Sequence, residues 1–102
     1  MIARFIRALR TASSERFILQ AKEGQDAAVL DLHYTATGNI AGTLILLEHG
    51  GISEAMVPDL LQEIDEVLLP EVTIDHRKVS FTAVIGRVVG HFAPHGPVEG
   101  GN

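Results

Sequence analysis

Five histidines and thirteen carboxylates are the groups through which this chain would do acid–base or metal chemistry. His33 stands two residues from Asp31, so on a strand both side chains leave the same face. Glu48-His49 ends the next apolar run, and an imidazole and carboxylate meeting there would suit zinc or a related ion. His91 and His95 are four apart, but Pro94 between them works against the helical turn that would align them. Asp75-His76 would cooperate as an acid–base pair only in a turn, because adjacent strand residues point to opposite faces. None of these spacings fixes a third ligand. Ordinary surface or strand-end histidines are therefore the stronger reading, and neither a metal site nor a cofactor is assigned.

Nucleophilic and phosphate chemistry lack their usual motifs. The chain has no cysteine, no GxSxG elbow, no GxxxxGK[ST] loop and no GxGxxG following a strand. Gly86-Arg-Val-Val-Gly90 lacks the lysine and the following helix that a phosphate cradle needs. No catalytic residue is assigned. The reading is a binding protein rather than an enzyme.

The charges are segregated along the chain. Residues 1–22 hold five basic residues against Glu15 alone, netting +4; residues 23–71 hold ten acids and no Lys or Arg; the remainder nets +1, for an overall −5. Arg4, Arg7 and Arg10 fall on one side of residues 2–12, whose Ile2, Phe5, Ile6 and Leu9 follow the i, i+3, i+4, i+7 spacing of an amphipathic helix. Asp59, Glu63 and Glu66 occupy the polar side of a second amphipathic segment, Ser53–Leu69. These six residues are the candidate partner-binding set: the arginines of one copy would meet the acids of another, setting orientation more than affinity. The acidic remainder would repel phosphates, which argues against nucleic acid. The basic, acid-poor head also has the composition of an organellar transit peptide, but packing of its apolar stripe on a sheet is preferred. Arginines interrupt residues 2–10 where an export signal needs an unbroken apolar core. No apolar run is long enough for a membrane span, and a cytoplasmic location is expected.

The remaining segments must supply a frame for these groups. Arg16–Ala21 and Ala28–Ala36 read as strands, the latter with Ala28, Leu30, Leu32 and Tyr34 on one face and Val29, Asp31, His33 and Thr35 on the other. Thr37-Gly38-Asn39 is a turn signal before Ile40–Glu48, a strand apolar on both faces. Pro58 marks either the start of the second helix or a distorted first turn. Glu71–Asp75 and Val79–Phe92 read as a second hairpin. The expected fold is therefore α+β, order α-β-β-β-α-β-β, with a mostly antiparallel five-stranded sheet and two amphipathic helices on one side. Residues 1–93 would form the single domain and 94–102 a flexible Gly/Pro-rich tail.

Packing then points to function. Leu44–Leu47 and Val84–Val89 place large aliphatics on both strand faces, more than two helices cover. At about 25 cal/mol per Å², leaving several exposed forgoes an amount comparable to the stability of a small domain. A homodimer through a sheet face or edge resolves this, and a non-catalytic homodimeric interaction or regulatory module is the leading expectation. The alternative is a small-molecule-binding domain or minimal enzyme, with a pocket between helix and sheet near Asp31, His33 and Tyr34.

Overall fold

A computed structural model of the chain describes residues 2–69, 78–94 and 96–97. Five strands form one sheet in the order β1-β2-β3-β4-β5: β1 Arg4–Arg10, β2 Ser14–Gln20, β3 Asp26–Tyr34, β4 Ile40–Leu47 and β5 Val79–Gly86. The first four are an antiparallel meander. A 3-10 turn, Glu54–Met56, runs into helix α1, Val57–Leu68, and this crossover returns β5 parallel to β4. Two short strands, β6 Phe92–Ala93 and β7 Gly96–Pro97, pair with each other apart from the main sheet.

This overturns the expected fold class. The sheet is mixed, and among the described residues the order is β-β-β-β-α-β-β-β, with one helix where two were expected. The basic segment expected to be a helix is β1. Its register shifts between Arg7 and Leu9, so Leu9 and not Ala8 stands opposite Arg16. That β-bulge inserts one residue into the alternation and sets Ile6 and Leu9 three apart on the same face, which mimics a helical spacing. Pairing along the whole of β2 then outweighs the weak helical preference of a short segment. Val79–Phe92, expected to continue a hairpin, is a strand only to Gly86 and pairs in parallel with β4. Its expected partner, Glu71–Asp75, lies outside the described residues.

The helix forms where the sequence pattern places it. Pro58 takes its second position, where the backbone lacks an intrahelical acceptor in any case, and the preceding turn tightens to 3-10 geometry. Leu60 and Ile64 point into the sheet and are fully buried, with Leu61 and Leu68 beside them. They meet one face only. Across it the register aligns Phe17, Leu30 and Leu44, with Leu19, Ala28 and Leu46 in the next row. These residues are 0–4% exposed and form the core. Gly42 leaves room on this face for the Phe81 ring, 2.5 Å from where a Cβ at residue 42 would stand.

Candidate functional site

Among the described residues, no helix lies on the other face of the sheet. Cross-strand register sets Ile6 opposite Ile18, Ile18 opposite Val29, Val29 opposite Ile45, and Ile45 opposite Val84. A β-branched aliphatic row thus crosses all five strands, with Leu9 and Leu47 on the same side. Ile6, Ile18, Val29 and Ile45 are half-buried, while Val84 is 44% and Leu9 53% exposed. β-Branched residues stack well on a pleated surface, yet a solvated sheet face normally alternates to polar residues.

After β5 the chain turns over this face. Arg87, Val88, Gly90 and His91 face Leu9, Ile18, Val29 and Ile45 across a cavity of about 560 Å³, which also meets Ala8, Arg16, Asp26 and Leu47. Val89 is absent from its lining and 83% exposed, and Phe92 is 70% exposed. A second, more open cavity of about 680 Å³ lies at the end of the sheet, where Gln20, Gln25, Asp26, Glu48 and His49 gather beside Arg87.

The ligand-binding residues expected from sequence are divided between the two faces. Asp31 and His33 lie on the helix-free side, one half-buried and one exposed; Tyr34 lies on the helix side, half-buried against the core. A single pocket between helix and sheet does not join the three. Asp31 accepts two hydrogen bonds from the Arg16 guanidinium, at 2.7 Å from Nε and 2.9 Å from Nη2. The pairing, with a smaller contribution from nearby His33, holds the Asp31 carboxyl below the usual carboxylate range although partial burial opposes it. His33 and Glu48-His49 belong to opposite ends of the β3–β4 hairpin: His33 faces Ala41, six residues before Leu47, a separation of roughly 20 Å along a strand. Among the described residues no three His, Asp or Glu side chains gather as a metal would need. Asp75, His76 and His95 lie outside the described residues.

The charged set is divided as well. Arg4 shares the helix-free face, whereas Arg7 and Arg10 sit on the helix side. There both meet Glu15, at 3.0 and 3.8 Å, and Arg7 stacks over the Phe17 ring. Tyr34 donates its hydroxyl hydrogen to the same carboxylate. Burial, and then the Glu15 bond and charge, push the Tyr34 phenol up to about 12. Glu63 accepts from the Ile2 backbone at 3.2 Å, tying α1 to the chain leading into β1. Asp59 and Glu66 are exposed on the helix, and Glu66 accepts from Gln62. The Arg16–Asp31 and Glu15–Tyr34 pairs escape a sequence reading because they depend on register; Arg16 and Asp31 alone carry a signal, as opposite charges on adjacent strands. No described helix is long and apolar enough to cross a membrane, which leaves strand-built spans unaddressed.

Compared with known proteins, the chain matches no protein-family model, no curated protein and no solved structure.

Proposed function

We propose that this domain acts by binding rather than catalysis, as a small interaction module that pairs with a second copy through the helix-free side of its sheet. The observation that supports this is the aliphatic row from Ile6 to Val84, with Leu9, Val84, Val88, Val89 and Phe92 exposed on and around it. Among the described residues α1 covers one face; on the other the aliphatic row crosses all five strands, flanked by polar residues such as Arg16, Asp31, Thr43 and Thr82. Single exposed aliphatics are ordinary, but a contiguous group of this kind marks an interaction surface.

The available area suits a second copy. Five strands at about 4.8 Å spacing and seven residues at about 3.3 Å span roughly 24 by 23 Å, or about 550 Å² per copy, with the outer side of Arg87–Phe92 standing in for the part of the sheet that segment covers. Two such faces bury about 1,100 Å² before side-chain relief is added, just above the ~1,000 Å² expected of a specific interface. The pair is accordingly of modest strength and concentration-dependent. Of the six charged residues considered for orienting it, only Arg4 lies on this face. Arg7 and Arg10 are engaged with Glu15 on the other.

Light scattering and sedimentation on the full chain test the reading. Twice the chain mass is expected at high concentration, with dissociation on dilution. The double variant Val89→Lys, Phe92→Lys changes only exposed side chains and is expected to remain folded and monomeric. A wild-type chain that stays monomeric at millimolar concentration overturns the proposal, as does a double variant that dimerises like the wild type.

A further inference from the structure

Beyond self-association, we propose that the cavity beneath Arg87–His91 is a small-molecule site for an amphipathic monoanion, a free acid with an apolar chain. Its floor is supplied by Ile18, Val29 and Ile45 and its roof by Val88. At about 560 Å³ it falls within the ~300–1,000 Å³ of small-molecule sites, which pair a mainly apolar lining with a few polar groups. The cleft is partly open to solvent and its lining is mainly apolar, so apolar atoms can enter from outside and lie on the row of aliphatics.

The charge of the ligand follows from which lining groups are already engaged. Four ionisable side chains border the cavity: Arg16, Asp26, Arg87 and His91. Arg16 is held by both oxygens of Asp31. Asp26 accepts from the Gln20 amide at 2.8 Å. Among the described residues Arg87 and His91 have no such partner, and Arg87 also borders the more open cavity next door. No carboxylate among the described residues stands within ion-pair distance of the Arg87 guanidinium, which leaves it open to an incoming carboxylate. Asp26, bonded to a neutral amide, keeps its own charge at the same cavity. The hydrocarbon would lie along the aliphatic row and the carboxylate at Arg87. Val89 and Phe92 belong to the outer side of this segment, so a filled cavity and the contact between copies use different sides of it.

The test is calorimetric titration of the full chain with decanoate, decanol and decyltrimethylammonium below their micellar concentrations, while the methyl NMR signals of Val29 and Ile45 report where each binds. Decanoate is expected to bind saturably, shift both methyl signals, and exceed decanol by about tenfold, a difference of about 1.4 kcal/mol. Arg87→Gln, a change at an exposed residue, is expected to remove that preference and leave decanol unchanged. If decanol and decanoate bind equally and Arg87→Gln changes neither, the anion assignment is overturned while the cavity stands. If none of the three binds, or the methyl signals do not move, the cavity itself is refuted. The dimer is read separately by mass and survives or fails independently.

Discussion

The chain's single tyrosine and its lack of tryptophan make Tyr34 a reporter that no other side chain obscures. Its hydroxyl is packed against the core at the end of β3 and donates to Glu15, and its pKa stands at about 12 against an ordinary 10.0. At pH 11 a phenol of ordinary pKa is about 90% ionised, and one at 12 about 10%. Alkaline titration of the folded protein, followed by tyrosinate absorbance, is expected to show a midpoint near 12, while the denaturant-unfolded chain titrates near 10. Glu15→Gln removes the charge and weakens the acceptor, so the midpoint should fall. It should stop short of 10, because burial is the larger cause and persists. Losing Arg7 or Arg10, which both favour the phenolate, should move it slightly the other way. The direction for stability follows by linkage: the folded chain holds this proton more tightly than the unfolded one. The contribution is therefore complete below about pH 10 and is lost as pH rises through about 12. A folded-state midpoint at 10, or a Glu15→Gln variant indistinguishable from wild type, would refute the packing described for this corner of the sheet.

Two further outcomes follow from the same geometry. Gly50→Ala should destabilise more than Gly42→Ala in chemical denaturation, because the new Cβ meets Ala27 backbone, with Cα at 2.7 Å, whereas at residue 42 it meets the Phe81 ring, which can rotate or shift; about 1–3 kcal/mol is expected for the milder case, and equal costs would contradict the assignment. Asp31 has the opposite pH sign from Tyr34: its depressed pKa gives a contribution present above the ordinary value of 3.8 and lost as pH falls through the lowered one. Carboxylate NMR should place its midpoint below 3.8, and Arg16→Gln should return it upward.

Much of the frame is legible in the residues. The alternation through Leu30, Leu32 and Tyr34 marks β3, Gly38 takes the positive φ its turn requires, and the stripe through Leu60 and Ile64 marks α1. β1 is not legible, because the bulge beyond Arg7 gives its apolar residues a helical spacing and only the partner strand reveals the register. Nor is the parallel pairing of β5, since strand direction is settled by which edge is free and not by local pattern. The same alternation that identifies β3 divides Asp31 and His33 from Tyr34, so the face of each was readable although a shared pocket was not. The surplus of aliphatic surface was visible from composition. What no count conveys is that much of the surplus lies on the face α1 does not cover, with Ile85 exposed on the other, and that Arg87–His91 turns back over the uncovered face.

The parallel placement of β5 also bears on how the domain is made. β1 to β4 are joined by short turns and can pair as soon as they exist, whereas β5 arrives only after the crossover through residues 48–78. Until then the free edge of the growing sheet is β4, whose Leu44–Leu47 is a flat aliphatic run with no charge or proline to discourage pairing with another chain. Of the two edges of the finished five-stranded sheet, β1 carries three arginines and a bulge, whereas β5 carries no charged residue. The molecule is thus guarded at one edge, and docking of the last strand moves the unguarded edge from β4 to β5.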